Sequence, residues 1–256
     1  SNSFGYTVSK GVATITSFPE TTETVLVIPA YLNSFPVKYI ASGVFAGQTT
    51  FRTVILCEGI EVIGDSAFLG CDSMSAVVLP SSLKGIGEKA FGNCYLLNNV
   101  RLPEGLTSVG KHAFAECANL ESIVFPKGVT ELPEGVFQNC GKLSSVSLLG
   151  NVTDIGDGAF FHCTSLKGIS LPQSLKSLGV GAFSGCSGLL SITLPNGLTT
   201  IGVGAFYQCS SLTEIKIPAA VSTIGEKTFS GCTSLTALVF PNTITKIGLG
   251  ALEVCT

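Results

Sequence analysis

Tryptophan is absent from this sequence, methionine occurs once, histidine twice, and only 12% of the 256 residues are charged. Without Trp, and with only five Tyr, the chain has little from which to build a sugar-stacking platform. Two histidines leave few candidates for general acid–base work, which needs groups converging within hydrogen-bond reach. Long hydrophobic runs are missing too. Apolar residues make up 45% of the chain and mean hydropathy is +0.51, yet Gly, Pro or Ser breaks every cluster well short of the roughly 18 residues a membrane span needs. No membrane insertion is expected of this segment. The 14 basic and 17 acidic residues are scattered singly and give a net charge of −3. They form no basic stripe to meet a phosphate backbone, so nucleic acid is not an expected partner.

What the chain does have is a fixed beat. Phe45, Phe68, Phe91, Phe114, Phe137, Phe160, Phe183, Phe206 and Phe229 stand 23 residues apart, and Leu252 completes the column. Nine of the ten cysteines, from Cys71 to Cys255, follow three residues behind at the same interval. A constant period of this length means that one small unit is copied and stacked, which is a solenoid. Each unit reads approximately Leu-x-x-Ile-x-Leu-Pro-x-x-Leu-x-x-Ile-Gly-x-x-Ala-Phe-x-x-Cys. In one copy Ile192 and Leu194 flank Thr193, the period-2 pattern of a half-buried strand. Pro195, lacking an N–H, ends that strand. A second, shorter extended segment is expected between Leu198 and Ile201. Gly202 then supplies a tight corner, where a side chain would clash or φ is unusual. The Ala-Phe-x-x-Cys segment is expected to form about one helical turn with Phe and Cys facing inward.

Stacking provides the stability. A 23-residue coil cannot enclose its own apolar side chains, whereas neighbours bury each other's at roughly 1.5 to 3 kcal/mol per large residue. Ten coils about 4.8 Å apart would span on the order of 50 Å. Residues 1–23 are expected to form an N-terminal capping hairpin, with Ser9-Lys10-Gly11 as its turn, and residues 24–256 the array. The first coil is irregular, and Gln48 takes the cysteine position. No capping pattern follows Cys255, so either the array continues or its last coil packs against something. The sequence begins at Ser1 without a leader pattern, so any targeting segment is expected to lie outside it.

These residues carry a family resemblance. The unit Ile-x-Leu-Pro-x-x-Leu-x-x-Ile-Gly-x-x-Ala-Phe-x-x-Cys resembles the BspA-type (Treponema pallidum-type) leucine-rich repeat, over nearly the whole chain. The resemblance implies surface or secreted proteins of bacteria and some mucosal protists, engaged in adhesion to host matrix, host cells or other microbes. The expected fold is therefore a leucine-rich repeat solenoid: an α/β, right-handed superhelix with a parallel strand ladder on one face and short helical turns on the other. Departures are few. Cys57 and Leu149 replace the turn Pro, Pro133 the corner Gly, Val136 and Thr228 the Ala, and Leu252 the Phe. Neutral drift is the favoured account of these, over a functional kink.

The cysteine column invites chemistry. Stacked coils would hold neighbouring Cα atoms about 5 Å apart, within disulfide reach. However, all nine share one inward, apolar-flanked position where Cys behaves as a small hydrophobe, and metal sites need ligands converging from several directions. A buried, reduced ladder is expected, reacting with a thiol reagent only after denaturation. Rapid labelling of most of these thiols in the native protein would contradict it. His112 and His162 occupy different phases of the unit and are expected at the surface. No catalytic, cofactor-binding or metal-binding residue is expected.

Function is better sought on the outward side of the strands, where copying aligns residues in columns. One column reads Ile55, Val78, Arg101, Val124, Ser147, Ser170, Thr193, Lys216, Val239. Of these, Ile55, Val78, Arg101, Val124, Ser147, Lys216 and Val239 are the candidate binding residues. The expected function is non-enzymatic: an adhesion or protein-binding module of a cell-surface or secreted microbial protein. Its partner would be a host or microbial surface protein, extracellular matrix included. An architectural spacer or a glycan-binding module within a larger envelope protein is the alternative.

Overall fold

The computed structural model describes residues 3–19 and 21–255. The outermost residues of the two expected segments, Ser1, Asn2 and Thr256, and also Glu20, lie outside them. Strands β1 (Gly5–Ser9) and β2 (Val12–Ser17) pair antiparallel. They are followed by β3 (Val25–Ile28), β4 (Tyr31–Leu32) and β5 (Phe35–Ile40). From there each coil contributes a short second strand of two residues and, in most coils, a first strand of two to four.

The first strands form a parallel six-stranded ladder running from β3 through Thr53–Leu56, Ala76–Val78, Asn99–Val100 and Ser122–Phe125 to Ser145–Leu148. The second strands form another. β2 lies parallel to β5, which continues into Val62–Ile63, Gly85–Ile86 and Ser108–Val109. The N-terminal hairpin therefore lengthens this second ladder, and Phe18 packs on Phe45 with ring centroids 5.0 Å apart. Beyond the first coil the register is uniform, each pair joining residues 23 apart, whereas β2 shifts register against β5 and β3 pairs across 28 residues. Apolar side chains alternate inward along most of the strands and fill one continuous core.

At the core's centre the nine phenylalanines stack, with successive ring centroids 4.9 to 6.1 Å apart. The expected helical turns around them are not formed, and no helix occurs among the described residues. The reason is local. Residues two before and two after each Phe have positive φ, as at Ser66 (56°) and Gly70 (70°) around Phe68, and this repeats in all ten coils. Left-handed residues interrupt any helix. They also redirect hydrogen bonds: Ala67 and Leu69 donate within their own coil, to Gly64 and Ser66, while Ser66, Phe68 and Gly70 donate to Glu88, Ala90 and Gly92 of the next. A helix would spend all these N–H groups on itself, whereas the alternation shares them between coils. Half of the left-handed positions carry side chains, at a cost of roughly 1 kcal/mol each. We expect Lys227→Gly, at φ 52°, to stabilise the protein by about 0.5–1 kcal/mol, measured as an upward shift in urea midpoint.

The corner glycines are needed for space. A Cβ on Gly87 would lie 2.5 Å from the backbone nitrogen of Asp65, and one on Gly202 2.4 Å from the carbonyl carbon of Gly179. Pro133 stands at this corner in one coil. Gly110 donates its N–H to Ile86 O at 2.8 Å, but Pro133 has none to offer Val109. The second ladder breaks there, between Ser108–Val109 and Glu131–Leu132. Phe114 and Phe137 are correspondingly 6.1 Å apart, the widest step in the stack. The array absorbs the irregularity and continues through Asp154–Ile155, Ser177–Leu178 and Thr200–Ile201.

Candidate functional site

Two repeated features could carry chemistry: the thiol column inside and the strand face outside. Inside, Cys71 through Cys232 are 0% exposed, and all ten cysteines are free thiols. Each thiol of the column donates to the carbonyl of the phenylalanine one coil back: Cys94 to Phe68 O, Cys140 to Phe114 O, and likewise to Cys255, at 3.0–3.2 Å. That same carbonyl takes the backbone N–H of its own coil's cysteine, as Cys94 N to Phe91 O at 3.3 Å. The thiol therefore satisfies the carbonyl's remaining lone pair while filling an apolar slot, which Ser would fill at a greater desolvation cost. Burial is the main cause that pushes these thiols up, to about 12 at Cys71, Cys186 and Cys232. It drives Cys94, Cys117, Cys140, Cys163 and Cys209 in the same direction. Such thiols are neither nucleophiles nor ready metal ligands. Among the described residues no group of three or more His, Cys, Asp or Glu side chains is placed to hold a metal ion.

The histidines are apart. His162 is exposed and stacks on Phe161 at 4.3 Å. His112 is half-buried instead: its ring occupies the space above Gly135, where a Cβ would meet it at 2.0 Å. Its Nε2 lies 3.9 Å from Glu134, whose carboxylate pairs with Lys111 at 2.8 Å. Both histidines sit at left-handed positions, φ 53° and 56°.

Outside, the first ladder presents the candidate column. Val27, Ile55 and Val78 are in register on adjacent strands, and Val124 pairs with Ser147. Arg101 follows the strand Asn99–Val100 between them. Val78 is 52% and Val124 48% exposed, while Ile55 is half-buried. Lys216 and Val239 are brought together on a separate two-stranded ladder. Between the two sets the strands lapse around Gly168 and Ser170, where a residue without a side chain weakens a strand. Val25 and Val27, about half exposed, head the two outward columns and were not evident from the period, because 28 residues separate Val27 from Ile55 instead of 23.

The face is shaped into hollows. One of about 690 Å³ is lined by Val78, Leu79, Asn99 and Arg101, with Glu58 and Glu104 at its turn edge. A second of about 440 Å³ shares Asn99, Arg101 and Glu104 and extends over Val124 and Leu149. A third, about 490 Å³, lies between Thr193, Glu214, Lys216 and Val239. Glu58 is already engaged. Its carboxylate accepts the Ser81 and Ser82 N–H groups and the Ser81 hydroxyl at 2.9–3.3 Å, and the Ser81 N–H in particular holds it below the usual carboxylate range. Such open, shallow hollows suit a macromolecular surface better than a small substrate.

Known proteins agree with this architecture. The BspA type leucine rich repeat region matches residues 38–167 and 130–256, in six copies. A leucine rich cell surface protein from Faecalibacterium prausnitzii is similar in structure, with a TM-score of 0.73 at 25% identity, over 95% of this chain and 82% of that one. The pneumococcal vaccine antigen PcpA is similar in fold, with a TM-score of 0.60 at 19% identity, over 96% of this chain and 75% of that one. No curated protein matches the chain. With the repeat matched from Lys38 to the C-terminus, this chain belongs to the BspA-type leucine-rich repeat family.

Proposed function

We propose that the chain is a non-enzymatic binding module of a cell-surface or secreted microbial protein, engaging a protein partner through the outward face of its first strands. The carrying observation is that this face holds solvent-exposed valines on a rigid in-register ladder. Val25, Val27, Val78 and Val124 are each about half exposed, and Val78 and Val124 line hollows that the same face forms. Large exposed apolar groups in a contiguous, preorganised strip are a hallmark of interaction surfaces. The cell-surface description of the Faecalibacterium protein supports the same location for this one.

The test is a panel of immobilised matrix, host-cell and microbial surface proteins, with polysaccharides as a parallel arm. Binding to a protein is expected, and Val78→Glu or Val124→Glu should weaken it at least about tenfold. Both substitutions are on exposed side chains, so folding is expected to survive, as circular dichroism would show. Unchanged binding by both variants would exclude this face. An array that bound nothing on the panel would be a spacer.

A further inference from the structure

The geometry points to an amphipathic α-helix of the partner, lying along the solenoid axis, as what this face receives, with an acidic side chain on Arg101 between two apolar ones. This rests on the strand face being the binding face, and it specifies the form and charge of what binds there.

Arg101 is among the residues that line both N-terminal hollows, with Val78 in one and Val124 in the other. No ion pair involves its guanidinium among the described residues. An exposed guanidinium without an ion-pair partner, flanked on the neighbouring rungs by exposed valines, asks for a carboxylate flanked by apolar side chains. Glu104 borders the same hollows, so a basic residue beside that carboxylate, off the apolar stripe, completes the match.

Spacing selects the secondary structure. Successive rungs of the ladder are about 4.8 Å apart, which puts Val78, Arg101 and Val124 at about 0, 4.8 and 9.6 Å along the axis. Residues i, i+3 or i+4, and i+7 of a helix stand at about 0, 4.5–6 and 10.5 Å on one side. They can meet all three rungs in order. A strand laid along the axis presents one side only every 6.8 Å or so, and so meets one rung and misses the next two. The occupant therefore reads apolar, acidic, apolar at i, i+3/i+4, i+7. A helix docked this way uses the usual helix-in-groove anchors.

The experiment is a displayed library of 18-residue peptides, randomised at every position, selected on the whole protein and then on Arg101→Glu. Enrichment of helical sequences with the apolar–acidic–apolar spacing is expected on the native protein. On Arg101→Glu these should lose at least about tenfold in affinity, and their variants with Lys in place of the acid should recover it. Enrichment of proline-containing or strand-forming peptides, of helices without the acid, or of nothing at all would overturn the inference. Should Val124→Glu abolish capture of a protein from the surface panel while the library enriches nothing, the binding face stands and the helix falls. If neither binds, both fall.

Discussion

Raised from about pH 8 to about pH 10 under reducing conditions, the protein is expected to lose most of its stability, with a urea midpoint that falls steeply and continuously above about pH 9. The cause is the buried thiol column. In the unfolded chain each thiol titrates near 9.0, while in the folded array burial lifts Cys71, Cys186 and Cys232 to about 12 and pushes Cys94, Cys117, Cys140, Cys163 and Cys209 up well above their ordinary value. A group whose folded value is raised contributes stability that is complete below the unfolded value and is lost as pH climbs toward the folded one. At about pH 10 that loss is on the order of 1 kcal/mol per thiol. Eight fully buried members, Cys71 to Cys232, all act in this direction, so their combined loss is on the order of the whole stability of many domains. Replacing three of them by Ala should reduce the slope by about three eighths, even where it also lowers stability at neutral pH. A midpoint that stays level between pH 8 and pH 10 would show that the thiols are not sequestered as the structure has them.

Gly87→Ala should cost at least about 3 kcal/mol and turn a single unfolding transition into two. Its Cβ would sit 2.5 Å from Asp65 N and 2.7 Å from the carbonyl carbon of Gly64, and backbone atoms held in a ladder cannot step aside as a side chain can. In an array whose stability comes from neighbour contacts, a lesion at one junction uncouples the coils on its two sides. Gly105→Ala is the control. Its Cβ would first meet the mobile end of Lys84 at 3.3 Å, and a change within about 0.5 kcal/mol is expected. Pro133 disturbs the same junction by a different route, a missing N–H, and there the ladder parts and the phenylalanine step widens. If Gly87→Ala unfolded in one transition at the native midpoint, close coil approach at the corner would not be what demands glycine.

The spacing alone revealed the stacked coils, the phenylalanine and cysteine columns and the two extended segments per unit, because a constant interval needs no knowledge of contacts. It misled over the turns. Phe and Cys at i, i+3 suit a helical turn and an alternating right- and left-handed loop equally well, so periodicity does not distinguish them. Glycine would have betrayed the left-handed positions, but Lys89, Glu116, His162, Gln208 and Val254 occupy them in several coils and hide the column. The thiol's hydrogen bond to a phenylalanine carbonyl was equally hidden, since it joins residues 26 apart. On the outer face the columns could be read from the register, whereas the hollows depend on how side chains such as Arg101 and Leu149 lie across neighbouring coils.

The shared turn hydrogen bonds have an evolutionary consequence. Every coil up to that of Phe229 gives half of its loop donors forward, to loop carbonyls of the coil that follows, so successive coils meet through the same set of complementary groups. Gene recombination that inserts or deletes a whole 23-residue block leaves each junction chemically unchanged, while a block of any other size strands amide and carbonyl groups at two seams. Relatives of this protein should therefore differ in copy number by integers, lengthening or shortening the outer strip a partner meets without redesigning the interior.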